Sequence, residues 1–304
     1  MTRHFLSMYD VTPEEILALV ARAKELRAGR GKPGAAPTPL AGKTVALIFE
    51  KASTRTRVSF EVGVHELGGH PMFVSAKDSQ LGRGEPVRDT ARVLSRYVHL
   101  IMLRTFSQDT LVELAKHGTV PVINGLSDLL HPCQVMSDLQ TVAEQKGEPL
   151  DRWRYAWVGD GNNMANSWLE AAGQLKLDLR LACPAGYRPN EAILAEARRR
   201  GGKIQVVERP ADAIAGADVV NTDVWASMGQ EAEAEKRRKA FGGFLVDEAM
   251  MAKAGSGAIF LHCLPAHRGE EVSDAVIEGP HSRVWDQAEN RLHMQKAIME
   301  FLLR

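Results

Sequence analysis

The residues from Ser53 to Arg57 combine hydroxyl and guanidinium groups in an order that suits the binding of an oxyanion. They read Ser53, Thr54, Arg55, Thr56 and Arg57, and they follow a wholly apolar run over residues 44–49. A turn from a strand into a helix here would place free backbone N–H groups and the positive end of the helix dipole beside these side chains, an arrangement that holds phosphate groups. The alternative is a capped helix whose arginines are only solvated. Arg104, which ends another apolar run, favours the phosphate site. No G-x-x-x-x-G-K-[ST] motif occurs, so a nucleoside triphosphate is not indicated.

Histidine and cysteine residues follow later apolar runs. His131 and Gln134 flank Cys133, and His262 precedes Cys263. A lone histidine at a strand end is more often structural than catalytic, and Cys133 is expected to be a small packed residue. Adjacent residues of a strand point to opposite faces, so His262 is not expected to act as a base for Cys263, which argues against a cysteine nucleophile. The histidines and cysteines match no zinc-ligand spacing, and no metal site is predicted.

The sequence Gly159-Asp160-Gly161 invites comparison with a dinucleotide-binding loop, but the pattern is incomplete. The third glycine of G-x-G-x-x-G is replaced by Met164, and no acidic residue ends the next apolar run at Cys183. Nicotinamide dinucleotide binding is therefore not predicted. Asn162 and Asn163 stand at the expected start of a helix, where one of them can act as an N-cap and the other can face a ligand.

Asp223 follows a further apolar run and favours a cationic ligand. The stretch from 221 to 235 contains acidic residues and neither Lys nor Arg. A buried carboxylate in such surroundings needs a cation or several hydrogen-bond donors. The alternative is that Asp223 only caps a turn, which is common for Asp after a strand.

Composition restricts the class of partner. Lys plus Arg and Asp plus Glu are equal at 38 each, so the chain lacks the net positive charge that draws proteins to nucleic acid or to an anionic membrane. The 3 cysteines have no C-x-x-C spacing, which favours a reducing compartment. The first 20 residues contain four charged side chains and no apolar core, and the chain has no run of 18 apolar residues. We therefore expect a cytoplasmic protein with small-molecule ligands, no nucleic acid partner and no membrane partner.

These side chains need a scaffold that brings several strand ends together. Predicted helices cover residues 55–67, 87–97, 108–116, 133–145, 163–175, 190–200 and 287–303, after a first helix that starts at Thr12-Pro13. Predicted strands cover residues 44–49, 71–75, 99–105, 120–124, 155–159, 177–183, 203–207, 219–225 and 258–264. This alternation predicts an α/β fold of two domains, each a mainly parallel sheet flanked by helices, with ligands bound beyond the carboxyl ends of the strands. We expect residues 1–147 to form the first domain and residues 148–286 to form the second, while the C-terminal helix is free to pack on either of them.

Taken together, these motifs resemble the aspartate/ornithine carbamoyltransferase family over nearly the whole chain. Residues 53–57, Arg104 and His131-Pro-x-Gln134 are similar to the carbamoyl phosphate site that the family shares. Residues 223–229 and 262–265 resemble the ornithine branch, because the aspartate branch carries His-Pro-Leu-Pro at the latter position. The loop 77–86 is similar to one that reaches into a neighbouring subunit in the ornithine branch. Residues 285–291 match the final helix, whose arginine faces carbamoyl phosphate. The resemblance therefore implies that the C-terminal helix 287–304 joins the first domain and that the active site lies in the cleft between the two domains.

The resemblance implies transfer of the carbamoyl group of carbamoyl phosphate to the δ-amine of L-ornithine, giving L-citrulline and phosphate through a tetrahedral intermediate. The implied catalytic residues are Arg104, His131, Gln134, Cys263 and Arg291. The implied ligands of carbamoyl phosphate are Ser53, Thr54, Arg55, Thr56, Arg57, Gln80, Arg104, His131, Gln134, Cys263, Leu264 and Arg291. The implied ligands of ornithine are Asn163, Asp223, Ser227 and Met228.

The resemblance also implies an enzyme without a metal or cofactor, assembled as a homo-oligomer that is a trimer or a multiple of trimers. Biosynthetic and degradative roles in arginine metabolism both fit the motifs. Two alternatives remain open: a carbamoyltransferase for another amine, such as putrescine, aspartate or a modified ornithine, and a non-catalytic anion-binding module on the same fold.

Overall fold

A computed structural model of the chain describes residues 2–32, 38–76, 84–226 and 233–304. The chain divides into two compact units. Unit 1 comprises Met1–Gln140 and Glu289–Arg304, and unit 2 comprises Thr141–Ala288. Each unit is built on a parallel sheet with helices packed on it. This confirms the predicted fold of two α/β domains.

The sheet of unit 1 has the strand order β2-β1-β3-β4, and every neighbouring pair is parallel. Its strands are β1 (Thr44–Phe49), β2 (His70–Ser75), β3 (Leu100–Arg104) and β4 (Val122–Leu126). Its helices are α1 (Pro13–Gly29), α2 (Thr54–Glu66), α3 (Val87–Leu94) and α4 (Gln108–His117), with the larger part of α5 (Pro132–Gln145) and of α12 (Val284–Leu302).

The central strands of this sheet are apolar along their whole length because both of their faces are covered. Every residue of β1 from Val45 to Phe49 is buried, and so is all of β3. This is the usual composition of parallel strands that lie between two layers of helices. Helix α1 begins as expected: the Thr12 hydroxyl accepts a hydrogen bond from the Glu15 N–H at 3.3 Å, and the Glu15 carboxylate accepts one from the Thr12 N–H at 3.0 Å.

The sheet of unit 2 has the strand order β7-β6-β5-β8-β9 and is also parallel. Its strands are β5 (Arg154–Val158), β6 (Asp178–Ala182), β7 (Lys203–Val207), β8 (Val219–Thr222) and β9 (Ile259–His262). Its helices are α6 (Asn163–Leu175), α7 (Glu191–Arg199), α8 (Pro210–Ile214), α9 (Ala234–Ala240), α10 (Glu248–Met251) and α11 (Asp274–Ile277). The last four of these helices are short, and the sequence analysis did not predict them.

Two strands of unit 2 end two or three residues earlier than predicted, and each early end has a local cause. Strand β8 stops at Thr222 instead of Trp225, because the carboxylate of Asp223 accepts the hydrogen bond of the Val224 N–H at 2.8 Å. Strand β9 stops at His262 instead of Leu264, since Leu264 has a left-handed backbone with φ of 57°. Asp223 and Cys263 therefore lie just beyond the strands and not within them.

Among the described residues, no helix has both the length and the apolar composition that crossing a bilayer requires.

Candidate functional site

Each sheet has one point at which the strand order reverses, and the chemically unusual residues lie there. In unit 1 the reversal falls between β1 and β3. Residues 53–57 follow β1, and Arg104 is the last residue of β3. In unit 2 it falls between β5 and β8, which are followed by Asn162 and Asp223. Ligands of open α/β sheets bind at such switch points, beyond the carboxyl ends of the strands.

The start of helix α2 gathers hydroxyl groups at the switch point of unit 1. Ser53 is the N-cap, and its hydroxyl oxygen accepts a hydrogen bond from the Thr56 N–H at 3.2 Å. The Thr56 side chain is fully buried, and its hydroxyl oxygen accepts a hydrogen bond from the Arg291 guanidinium of α12 at 2.7 Å. The long-range contact with Arg291 brings the C-terminal helix to the predicted phosphate loop.

The positive charges of three arginines act on the buried imidazole of His131. Burial holds the pKa of His131 well below its ordinary value of 6.5, and the positive charges of Arg291, Arg104 and Arg55 lower this pKa further. His131 is therefore neutral, and its ring offers an N–H donor without a charge of its own. We call Ser53, Arg55, Thr56, Arg104, His131 and Arg291 the anion site, because this concentration of positive charge suits an anionic ligand.

Gln134 lies three residues after His131 and has a fixed amide. Its Nε2 donates to the Asp138 carboxylate at 2.9 Å. Its Oε1 is buried and has no hydrogen-bond partner in the described part of the chain. An ionised carboxylate can accept hydrogen bonds but cannot donate them. The contact with Asp138 therefore orients the amide and leaves its carbonyl oxygen as an acceptor for a ligand N–H. The sequence analysis did not single out Asp138.

Arg57 belongs to the predicted phosphate loop, but the structure does not place it in the anion site. Its guanidinium pairs with Glu61 at 3.0 Å and lies 3.7 Å from the centre of the Phe73 ring. Positions 55 and 57 of a helix differ by about 200° around its axis, so Arg55 and Arg57 face opposite ways. Thr54 is exposed at the first position of the same helix.

Asp223 is the centre of the second group, at the switch point of unit 2. Only 6% of the residue is exposed. Its Oδ2 accepts a hydrogen bond from the Asn162 side chain at 2.8 Å, and its Oδ1 accepts from the Val224 N–H at 2.8 Å and from the Cys263 thiol at 3.0 Å. We call Asn162, Asp223 and Cys263 the carboxylate site. The sequence analysis required a cation or several hydrogen-bond donors around a buried carboxylate. Three neutral donors meet this requirement.

The two asparagines at the start of α6 have different positions. Asn162 is the N-cap: its Oδ1 accepts from the N–H groups of Met164 and Ala165, while its Nδ2 donates to Asp223. Asn163 is partly exposed in the first turn of the helix. Gln80, Ser227 and Met228, which the sequence analysis assigned to the site, lie outside the described residues.

Cys263 and His262 diverge, as expected for neighbours at a strand end. The Cys263 thiol donates to Asp223, whereas both ring nitrogens of His262 contact other groups. Asp223, His262 and Cys263 nevertheless offer potential metal ligands within 4.8 Å of one another, a grouping that their separation in sequence did not indicate. The expectation of an enzyme without a metal stays a prediction.

A buried ion pair next to the carboxylate site was not foreseen from the sequence. Asp160 contacts the Arg237 guanidinium at 2.7 Å, and Arg237 also donates to the Trp225 carbonyl at 2.8 Å. Burial raises the pKa of Asp160 to about 6, an effect that Arg237 opposes and the nearby Asp223 charge increases. Arg237 follows the acidic stretch in sequence and ties the segment after Asp223 to the end of β5.

Cys133 and Gly161 are small residues whose surroundings explain why they are small. Cys133 is fully enclosed, and burial raises the pKa of its thiol to about 12, which makes it a packed residue and not a nucleophile. A side chain at Gly161 would collide with the backbone of Arg188 and Pro189, the nearest atom lying 2.2 Å from the added carbon. The glycine therefore permits close packing of two loops.

Comparisons with known proteins match both units. Residues 3–144 match the model of the carbamoyl-P binding domain of aspartate/ornithine carbamoyltransferase, and residues 151–302 match the model of its Asp/Orn binding domain. The ornithine carbamoyltransferase of Pelobacter propionicus is 58% identical over 304 residues, which cover 100% of this chain and 99% of that protein.

Solved structures show the same likeness. The ornithine carbamoyltransferase of Pyrococcus furiosus superposes with a TM-score of 0.93 at 50% identity, covering 98% of this chain and 96% of that one. The anabolic ornithine carbamoyltransferase of Campylobacter jejuni also gives a TM-score of 0.93, at 44% identity, covering 99% and 98% of the two chains.

Proposed function

Because the chain belongs to the aspartate/ornithine carbamoyltransferase family, we propose that it transfers the carbamoyl group of carbamoyl phosphate to the δ-amine of L-ornithine. The products are L-citrulline and phosphate. The observation that carries this proposal is the contact of Arg291 with Thr56 at the start of α2, together with the positive charges of Arg55, Arg104 and Arg291 that act on a buried, neutral His131. A doubly charged phosphoryl group matches this concentration of positive charge.

The reaction is an attack of the neutral amine nitrogen on the carbonyl carbon. A C–N bond forms, negative charge develops on the carbonyl oxygen, and the C–O bond to phosphate then breaks with its electron pair leaving on phosphate. One amine proton is released in the process. Fixed N–H donors aimed at the developing oxyanion lower the barrier most. We assign this role to His131, Arg104, Arg291 and the Thr56 hydroxyl.

The remaining groups of the anion site hold and orient carbamoyl phosphate. The free backbone N–H groups at the start of α2, with Ser53, Thr54 and Arg55, bind the phosphoryl oxygens. The Gln134 carbonyl oxygen accepts from the carbamoyl NH₂, and the backbone carbonyls of Cys263 and Leu264 accept N–H groups of the reacting nitrogens. In support of the Gln134 role, its Oε1 is buried, without a partner among the described residues, and held in place through Asp138.

The carboxylate site selects a cationic amino acid. A carboxylate has about four lone-pair sites, and the three donors to Asp223 occupy two on Oδ1 and one on Oδ2. The α-ammonium of ornithine takes the remaining site on Oδ2. Asn163, Ser227 and Met228 complete the binding of ornithine in this proposal.

Further parts of the proposal concern the cell and the assembly. The protein acts in the cytoplasm in arginine biosynthesis, and its likeness to the anabolic ornithine carbamoyltransferase of Campylobacter jejuni supports the biosynthetic direction. The active form is a trimer or a multiple of trimers, in which Gln80 of the loop 77–86 contributes to carbamoyl phosphate binding in a neighbouring subunit.

A citrulline assay tests the proposal directly. Purified protein is supplied with carbamoyl phosphate and with ornithine, putrescine or aspartate, and both phosphate and the carbamoylated product are measured. We expect citrulline only with ornithine, in equal amounts with phosphate. A higher rate with putrescine or aspartate would show that this amine, and not ornithine, is the substrate. If no phosphate is released with any amine, the protein is a non-catalytic anion-binding protein. Light scattering on the same sample measures the mass of the assembly.

A further inference from the structure

His262 and Glu271 form a pair that lies entirely inside unit 2, next to two residues of the proposed site. Both side chains have 0% exposure, and the His262 Nε2 lies 3.1 Å from the Glu271 Oε1. The same Oε1 accepts a hydrogen bond from the His267 N–H at 2.6 Å. The backbone carbonyl of Glu271 accepts from the Val246 N–H at 3.0 Å, so the carboxylate is attached to a fixed part of the unit.

The second ring nitrogen of His262 acts on the backbone of the site. The Leu264 N–H donates to the His262 Nδ1 at 2.8 Å. Since Nδ1 is an acceptor, the ring proton must be on Nε2, where it points to the Glu271 carboxylate. The imidazole thus joins a buried anchor on one side to a single backbone N–H on the other.

Leu264 has a backbone conformation that needs such support. Its φ of 57° is in the left-handed region, which is unfavourable for a residue with a Cβ because the Cβ lies too close to the following carbonyl oxygen. A leucine holds this conformation only when its surroundings impose it. The Leu264 N–H and the Cys263 carbonyl belong to one peptide group, so the hydrogen bond to His262 orients that carbonyl and holds the point from which the Leu264 carbonyl follows.

We propose that His262 and Glu271 are positioning residues that fix the backbone of Cys263 and Leu264 for the reaction. The inference rests on the proposed function, because the carbonyls of these two residues matter only if they hold the reacting nitrogens. His262 acts through its Nδ1 lone pair, and Glu271 acts by keeping the ring proton on Nε2. Neither side chain is a base for the thiol of Cys263.

Two substitutions of His262 separate the roles of its nitrogens. The side-chain oxygen of asparagine reaches the place of Nδ1, so His262→Asn keeps an acceptor for the Leu264 N–H and loses the contact with Glu271. The amide of glutamine reaches the place of Nε2, so His262→Gln does the reverse. A displacement of about 1 Å at reacting groups costs about 100-fold in rate. We therefore expect kcat of His262→Gln to fall about 100-fold with little change in either KM, whereas His262→Asn keeps most of the wild-type kcat.

Melting temperature distinguishes positioning from general stability. Both variants lose one buried hydrogen bond, so both should melt at lower temperature by similar amounts. His281→Asn is the matched control, because the His281 Nδ1 also contacts a backbone group of unit 2, the Ala258 carbonyl at 2.9 Å. It should keep the wild-type kcat. Equal loss of kcat in His262→Asn and His262→Gln would overturn the proposal.

Amide hydrogen exchange of Leu264 tests the geometry without any assay of activity. Exchange should be slow in the wild-type protein and in His262→Asn, and faster in His262→Gln. Glu271→Gln keeps a carbonyl oxygen for both the His267 N–H and the ring proton and should keep slow exchange, whereas Glu271→Leu removes this acceptor; we expect Glu271→Leu to raise the exchange rate and to lower kcat. Fast exchange of Leu264 in the wild-type protein would contradict the inference even if the His262 variants do not fold. A wild-type protein that makes no citrulline but protects Leu264 would contradict the proposed function instead.

Discussion

The anion site of unit 1 and the carboxylate site of unit 2 solve opposite electrostatic problems. In the anion site, three guanidinium groups act on one buried imidazole, and all of these groups are cationic or neutral. In the carboxylate site, one buried anion accepts three hydrogen bonds from neutral groups of the chain itself. In the first site, an anionic ligand would reduce the repulsion between like charges. In the second, the Asp223 carboxylate already accepts hydrogen bonds on both oxygens, and a cation adds one further contact. We therefore expect substitutions in the first site to affect the reaction more than substitutions in the second.

The largest effect should follow from His131→Ala. Loss of one preorganised donor to the oxyanion lowers kcat by about 100- to 1000-fold. Steady-state kinetics and thermal melting measure the change in activity and in folding. His131→Gln retains an N–H donor near the same place and should lose less. A kcat of His131→Ala within a few-fold of wild type would remove His131 from the catalytic group.

Arg55→Ala should affect the binding of carbamoyl phosphate more than its conversion. Loss of a charge-assisted hydrogen bond costs about 1.5–3 kcal/mol, or about 10- to 150-fold in Kd. Arg57→Ala sharpens the comparison, because the sequence analysis assigned both arginines to the ligand whereas the structure places Arg57 on Glu61 and Phe73. Titration calorimetry should give the larger loss for Arg55. Equal losses in the two variants would show that Arg57 reaches the ligand after all.

Asp223→Asn should weaken ornithine binding by about tenfold, the lower end of the range for a charged hydrogen bond, because the ligand adds only one contact there. The KM for carbamoyl phosphate should stay unchanged. Asp212→Asn serves as a control, since Asp212 is part of a surface ion pair with Arg209. If Asp223 only caps a turn, Asp223→Asn will instead melt at lower temperature and keep the wild-type KM for ornithine.

The smallest expected effect is a difference in the acid response of the two units. The lowered pKa of His131 means that the unfolded chain binds a proton below pH 6.5 that the folded chain refuses, so this group lowers stability as the pH falls through 6.5. Asp160 behaves in the opposite way. Its pKa is raised from 3.8 to about 6, so the folded chain binds the proton first, and this group raises stability as the pH falls through 6.

Urea unfolding at pH 7 and pH 5 measures these contributions by difference. Relative to His131→Gln, the wild-type protein should lose about 1–2 kcal/mol of stability on acidification. Relative to Asp160→Asn, it should gain about 1 kcal/mol over the same range. Changes of the same sign against both variants would contradict the assignment of the two pKa shifts.

The sequence by itself determined the architecture and the residue types of the chemistry. Short, mostly apolar runs such as residues 44–49 predict strands covered on both faces, and their alternation with helical patterns predicts parallel sheets. Since the ends of parallel strands meet at one edge, the positions of Arg104, His131 and Asp223 after such runs already indicated where a ligand binds. These are local properties of the chain, which is why they can be derived from spacing.

Only the tertiary structure decided which of these side chains act together. The contact of Arg291 with Thr56 joins residues separated by 235 positions, and that of Cys263 with Asp223 joins residues separated by 40. The ion pair of Asp160 with Arg237 and the pair of His262 with Glu271 leave no local signal either, because each depends on how one loop packs against another. Arg57 is a further example. The motif predicts that it binds phosphate, whereas in the structure its position on α2 places it beside Glu61. The spacing of apolar residues along the chain indicates where helices and strands form. Which side chains meet in a site is decided by packing between segments that are distant in sequence.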